Sequence, residues 1–426
     1  MIERIQRLFR NYIILLKNMF SMMVLRGAEY IVALISMPYL VRTLGPDRFG
    51  ALIFMQSIIQ YYNIAIDYGF NLTASRDIAK ANKFYDISRI FSSVMCAKVI
   101  LFTCCTFLTL LAFFLNSVFS VIYIDYKLFW AVFLNVIGTM IFPIWFFQGI
   151  QEMGYIAKCK LISIIITTLS IFLFVKSPQD YILAGFLQAV TMLVTGILSW
   201  IIIFLQYNEV FQRTNFYEIK RRFIEGWQIF ISTLFVNLYT NSNLVFLRFF
   251  TSDYIVGLFG SALKLIDAIK GLIWPLCQAI YPFICKKFEI DKRGFFLFIK
   301  NLLKISSSIG FLITIGMIIG GEWIVHILYG PDYAGAVSVL HILSLIPMFV
   351  FFSIFAGSSL IAANEQKEYS KILMLGSALD VILVLVAIPT WGAYGLAFTM
   401  CSVEAFVAFK MFKAVITKSK GYRNDN

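Results

Sequence analysis

Charged residues are scarce in this chain. Only 14% of its 426 residues are Asp, Glu, Lys or Arg, against 60% hydrophobic residues and a mean hydropathy of +0.83. Soluble globular chains carry about 25% charged residues, so that class is excluded and a polytopic membrane protein is left. Histidine is nearly absent: nothing in the sequence pairs His326 with His341, which favours structural roles over a proton relay. The seven cysteines have no metal-ligand spacing and fall almost all within apolar stretches or near their ends, as small packing residues do. No Gly-x-x-x-x-Gly-Lys-Ser/Thr run serves nucleotide hydrolysis, no His-Glu-x-x-His binds zinc and no Gly-x-Ser-x-Gly supports acyl transfer. The expectation is a protein that is not an enzyme and holds no metal or cofactor. Its energy source must then be a gradient, with Na+ or H+ as coupling ion, or the downstream use of product.

Long connections are missing as well, so no soluble domain is expected. What the chain has is apolar length. A helix needs about 20 residues to cross the hydrocarbon. Twelve stretches answer to that: 18–42, 49–72, 90–115, 122–147, 155–175, 180–205, 227–248, 254–283, 303–327, 336–362, 371–389 and 391–411. Their apolar runs are continuous rather than alternating, which predicts helices that satisfy their own backbone hydrogen bonds, not a β-barrel. The fold class is an all-α polytopic membrane protein of twelve transmembrane helices.

Charge placement sets the orientation. Of 36 Lys and Arg residues, five (Arg42, Arg48, Lys127, Lys176, Arg248) fall on one side and four (Arg26, Lys98, Lys264, Lys270) deep in spans, leaving 27 on the other. The positive-inside rule makes that richer side, with both termini, cytoplasmic. The formal net charge of +13 is absorbed by inner loops facing anionic lipid, Lys286, Lys287, Lys292 and Arg293 among them, and nucleic acid is not an expected partner. Residues 1–17 place Ile2, Ile5, Leu8, Phe9, Tyr12 and Ile13 on one helical face and Arg4, Arg7 and Arg10 on the other, suited to the inner membrane surface. No cleavable signal peptide is expected before the first span.

The few charges inside spans therefore stand out. A charged side chain at the bilayer centre costs about 2.5–3.5 kcal/mol even on lenient scales, and is kept where it faces a partner, a cavity or a substrate. Arg26 and Glu29 share one face of the first span, and Lys264, Asp267 and Lys270 recur at three-residue intervals in the eighth. Three cations against two acids leave one positive charge, which suits an anionic group such as a diphosphate. The competing reading is that these are internal ion pairs that lock helices together. Tyr61, Tyr62, Asn63, Asn237, Tyr239, Asn241 and Asn243 would offer polar and aromatic contacts to a sugar, and Tyr62 and Asn241 join the candidate site. Asp67 either lines the inner mouth or reaches headgroup water. Lys98 and Glu404 are read as snorkelling to the interface. Asp380 is an isolated acid deep in the eleventh span, either titrating or protonated in a packed interface. Prolines 38, 143, 275, 282 and 347 permit kinks.

The two halves repeat. Arg42-Thr43-Leu44-Gly45-Pro46-Asp47 after the first span matches Arg248-Phe249-Phe250-Thr251-Ser252-Asp253 after the seventh, with Arg five residues before Asp in each. An aromatic residue and a glycine follow both, Phe49-Gly50 and Tyr254 then Gly257. Gln151-Glu152-Met153-Gly154-Tyr155 likewise matches Glu365-Gln366-Lys367-Glu368-Tyr369. Six spans per half give parallel repeats related by an axis along the membrane normal, with the binding site between them. The domains are an N-lobe at 1–205, a basic cytoplasmic linker at 206–226 and a C-lobe at 227–426.

The run Leu40-Val41-Arg42-Thr43-Leu44-Gly45-Pro46-Asp47-Arg48-Phe49-Gly50 resembles the first outer loop of Wzx-type O-antigen and polysaccharide flippases, of the multidrug/oligosaccharidyl-lipid/polysaccharide exporter superfamily. So do Asp67-Tyr68-Gly69-Phe70-Asn71 with Arg76-Asp77, the Phe147-Gln148-Gly149-Ile150-Gln151-Glu152 turn, and Leu328-Tyr329-Gly330 with Tyr333. The likeness covers essentially the whole chain. It implies a V-shaped pair of six-helix lobes around a central cavity in the bacterial inner membrane. By alternating access these would move undecaprenyl-pyrophosphate-linked oligosaccharide repeat units, with a polymerase and a chain-length regulator as assembly partners. It also implies that the first, second, seventh and eighth helices line the cavity, with Arg26, Glu29, Asp67, Lys264, Asp267 and Lys270 as lining residues. The motifs are shared with capsule and exopolysaccharide exporters. A drug/cation antiporter of the same superfamily is the nearest rival transporter, and a cation-rich cavity would repel its cargo. An O-antigen polymerase is disfavoured, because sugar handling usually needs a sizeable outer loop.

Overall fold

The computed structural model describes residues 2–81, 83–119, 125–207 and 211–424, without the side chains of 2–16, 119, 239, 240, 279, 293 and 419–424. The amphipathic faces assigned to residues 1–17, the basic tail and the Tyr239 side chain therefore lie outside the described residues. All regular structure among the described residues is helical. The elements are α1 (Ile2–Asp67), α2 (Phe70–Lys80), α3 (Phe84–Phe119), α4 (Tyr126–Ile141), α5 (Ile144–Gly149), α6 (Met153–Phe174) and α7 (Tyr181–Gln206). They continue with α8 (Phe216–Phe250), α9 (Asp253–Ile290), α10 (Lys292–Tyr329), α11 (Ala334–Leu343), α12 (Ile346–Ala362) and α13 (Gln366–Asn424). Among the described residues, seven helices are long and apolar enough to cross a membrane, or up to nine if each of two bent pairs is one span. The chain is an all-helical membrane protein.

The breaks have local causes. Gly45 interrupts α1 at φ 69° and ψ 168°, a conformation that L side chains avoid, and it falls where the sequence separates the first two spans. Pro143 cannot donate a backbone hydrogen bond and divides α4 from α5. The carbonyl it leaves behind, that of Thr139, accepts a hydrogen bond from Lys98 Nζ at 3.1 Å, and the nearby Ile141 carbonyl accepts Trp200 Nε1 at 2.7 Å. Side chains thus supply donors that water cannot supply in a bilayer. In α13, Pro389 precedes a non-helical Gly392 at φ 55°, at the start of the stretch read as span twelve.

Two compact units result: Met1–Thr43 with Met55–Leu234, and Leu44–Phe54 with Phe235–Asn426. In the first, Phe91 packs its ring against Trp145 at 5.3 Å, Phe146 at 5.3 Å and Trp200 at 5.5 Å. Each such aromatic pair adds about 0.5–1.5 kcal/mol beyond its buried area. Within the basic stretch 206–226, residues from Phe216 onward are the start of α8 and pack in this unit. Arg222 is buried and donates to Asp77 of α2 at 2.5 Å and to Ser93 of α3 at 3.2 Å, while Glu218 pairs with Arg89.

In the second unit the core runs through Ile273, Ile284, Phe295, Phe355, Leu360 and Val403. Residues 44–54 belong to it because the two repeated segments touch each other. A Cβ at Gly50 would overlap the Asp253 carbonyl oxygen and lie 2.7 Å from the Gly257 nitrogen, and one at Gly257 would overlap the Pro46 carbonyl oxygen. The contact is reciprocal, each copy's glycine facing the other copy's backbone, and carbonyls cannot swing aside as side chains do. Arg248 pairs with Asp253 as the sequence spacing allows, and its guanidinium lies 5.8 Å above the Phe54 ring. Gly257→Ala should therefore lower the thermal midpoint of the purified protein, overpacking costing about 1–3 kcal/mol. Gly316→Ala, where a Cβ meets nothing within 4 Å, is the control, and equal midpoints would contradict the crossing.

Candidate functional site

The first charged cluster is assembled from α1 and α6, which run side by side. At one end Asn18 donates to the Gln151 carbonyl at 2.6 Å and accepts from the Met153 amide at 3.2 Å, closing the exposed start of α6. At the other, Tyr39 donates to the Val175 carbonyl at 2.5 Å, and its ring packs at a tilt against Phe172 with centroids 4.6 Å apart. Between these contacts Leu25 is buried in the core. One and four residues on, Arg26 Nη1 and Glu29 Oε2 meet at 3.0 Å. The other oxygen of Glu29 lies 3.7 Å from Lys160 Nζ of α6. One carboxylate is thus shared by two cations, leaving a net positive charge. The Arg26 side chain remains 63% exposed, so the pairing with Glu29 does not bury its guanidinium.

The second cluster lies on α9, whose start is capped by the Ser252 hydroxyl accepting from the Ile255 amide at 3.4 Å. Val256, Phe259, Leu263, Ile266 and Ile273 are buried, forming a stripe at helical spacing. That leaves Lys264 and Asp267 exposed on the opposite side. Lys270 Nζ sits 3.8 Å from Asp267 Oδ1, a loose pair in which Asp267 stays half exposed. Lys264 makes no ion pair with a described residue. Again two cations stand against one acid.

The other candidates are held inside their own units. Tyr62 shares a 2.8 Å hydrogen bond with Thr109 and packs on Phe129 and Phe133. Asn63 donates to Asn135 at 2.9 Å, and Gln56 donates to Gln188. Asn241 donates to Asn237 at 2.7 Å. Asp67, at the end of α1, accepts from Lys98 Nζ at 3.1 Å while keeping 36% of its side chain exposed. The snorkelling expected of Lys98 is overturned: its side chain is 1% exposed, far from reaching an interface. Burial is tolerated because its ammonium has both the Asp67 carboxylate and the carbonyl freed by Pro143. Asp380 is buried in α13, with Asn243 and Glu404 the polar side chains facing it, so it is not isolated in space.

Sequence reasoning missed Lys160. It lies five residues inside the stretch 155–175, and its depth was the available signal. Its position near a span end made it look like one more inner-loop cation.

Long apolar helices broken by glycine and proline, with sparse charges among them, define an integral, polytopic membrane protein. The fold is similar to that of a lipid II flippase MurJ in an inward closed conformation, at a TM-score of 0.72 and 15% identity over 94% of this chain and 87% of that one. It is also similar to a multidrug resistance MATE family transporter of the MOP superfamily in an inward-facing conformation, at 0.70 and 14% identity over 93% and 95%. The chain belongs to the polysaccharide biosynthesis protein family, whose profile matches residues 15–288. It is 31% identical to a "Putative O-antigen transporter" of Escherichia coli (strain K12), over 95% of this chain and 97% of that protein. A protein of the same description from Shigella dysenteriae is 27% identical over 94% and 99%. "Capsular polysaccharide biosynthesis protein CapF" of Staphylococcus aureus is 26% identical over 48% of this chain and 50% of its own length.

Proposed function

We propose that this protein is a flippase that carries undecaprenyl-diphosphate-linked O-antigen repeat units across the bacterial inner membrane. One observation carries the reading: each unit sets two cations and one carboxylate on membrane helices, with Arg26 and Lys264 left exposed. A cation-rich apolar helix suits a diphosphate and disfavours the cationic cargo of a drug antiporter. The likeness to O-antigen transporters along 94–95% of the chain points to the same cargo class.

In this reading the chain crosses the membrane twelve times with both termini cytoplasmic. The halves read from the sequence, an N-lobe (1–205), a basic linker (206–226) and a C-lobe (227–426), serve an alternating-access cycle. Arg26, Glu29, Lys264, Asp267 and Lys270 receive the diphosphate, while Asp67, Tyr62 and Asn241 complete the lining. The polyprenyl tail stays in the bilayer, so the sugar head crosses without meeting hydrocarbon. A polymerase and a chain-length regulator would take over the product. Capsule export is the second reading, favoured by the half-length similarity to the capsular protein.

Deleting the gene should trap lipid-linked repeat units at the inner leaflet, read by extraction of the carrier lipid and by saccharide labelling from each side. A strain that accumulates outer-leaflet units instead would lack a polymerase activity, and this reading would fall.

A further inference from the structure

We infer that Lys160 sets the charge preference of the first cluster, acting through Glu29 rather than on the cargo directly. The inference rests on the flippase reading and deepens it to the phosphate count of the carrier. Lys160 belongs to an apolar helix, where an ammonium is kept beside a partner charge or water, and its place is explained by a partner. Glu29 is that partner, at 3.7 Å, and the Lys160 side chain is only 25% exposed. The Asn18 and Tyr39 contacts hold α1 and α6 together on either side of the pair, so the juxtaposition is built by the fold.

The consequence follows from charge. Glu29 has two oxygens, one on Arg26 and one on Lys160. With Lys160 present, Arg26 is only partly neutralised and its exposed guanidinium keeps donors for a phosphate oxygen. Without Lys160, Glu29 falls wholly to Arg26 and the cluster becomes neutral. The α9 cluster repeats the composition with Lys264, Asp267 and Lys270 on a single helix. A diphosphate diester carries one more negative charge than a monophosphate diester, so the positive charge that Lys160 preserves at the first cluster favours the diphosphate carrier. Lys160 is therefore a positioning residue with a specificity effect, and its contribution is a property of the Arg26–Glu29–Lys160 set.

The test uses the purified full-length protein in vesicles, exchanging polyprenyl diphosphate-linked and polyprenyl monophosphate-linked oligosaccharide of the same sugar. Lys160→Gln should raise the half-saturating concentration for the diphosphate carrier by about tenfold, the scale of one charge-assisted hydrogen bond. The maximal rate should change little, and the preference over the monophosphate carrier should collapse. Lys160→Arg should keep wild-type values. Glu29→Gln in the Lys160→Gln background should recover the preference, because Arg26 is then freed of its carboxylate. A merely structural lysine would give no such recovery. If wild-type protein exchanges the diphosphate carrier but Lys160→Gln keeps its preference, or the double variant stays as poor as the single one, the inference is overturned and the flippase reading stands. If wild-type protein exchanges neither carrier, both fall.

Discussion

Lys264→Ala is expected to abolish O-chain display at the cell surface while the amount of protein in the membrane holds. The expectation rests on what the residue lacks. Lys264 is exposed on α9 and makes no ion pair with a described residue, so its removal strands no buried charge among the described residues. On the proposed function it removes one donor to the cargo phosphate, and hydrogen bonds to charged groups contribute about 1.5–3 kcal/mol. That is a loss of tenfold or more in the rate of loading. Arg26→Ala should behave alike, although there Glu29 retains Lys160 at 3.7 Å and the cluster becomes neutral. Immunoblotting of surface O-chain, with membrane-fraction blots for protein, reads both. Normal display from both variants would refute a cargo role for these cations and leave them as ion-pair locks.

Asp67→Ala is expected to produce the largest loss of stability of any single charge removal in the first unit. Removing one member of a buried ion pair costs about 3–5 kcal/mol, because the other charge stays without compensation. The asymmetry here is informative. Lys98 is buried and cannot turn to water, whereas Asp67 is a third exposed and can. Asp67→Ala should therefore lower the thermal midpoint of purified protein more than Lys98→Met does, even though Lys98→Met also strips the Thr139 carbonyl of its donor. The double variant should recover part of the loss, since an apolar pair replaces an unbalanced charge. A larger effect from Lys98→Met, or no recovery in the double variant, would contradict the pair as the reason Lys98 is buried.

Features encoded locally were legible. Helical character followed from apolar length, and the interval left between the first two spans contains Gly45, where α1 breaks. The pairing of Arg26 with Glu29 followed from three-residue helical spacing. Features that depend on a second helix were not. Lys98 was misread because its partner lies 31 positions away and its second acceptor exists only because Pro143 cannot donate. Lys160 was overlooked because Glu29 is 131 positions distant, and an inner-end lysine is ordinarily explained by lipid headgroups. The Asn63 side-chain nitrogen donates to Asn135, a partner 72 positions away that the sequence does not announce. The repeated Arg-to-Asp segments lie between these cases. Their likeness was visible, but nothing in either copy announced that the glycine of one packs on the backbone of the other.

The central claim is that cations carried on membrane helices grip a diphosphate headgroup while it changes leaflets. The most direct measurement is transbilayer exchange of defined polyprenyl diphosphate oligosaccharides by purified protein in vesicles, with wild type beside an Arg26→Ala, Lys264→Ala double variant. Rapid exchange by the wild type and exchange no faster than protein-free vesicles by the variant is the predicted result. Equal exchange by both proteins would contradict the claim.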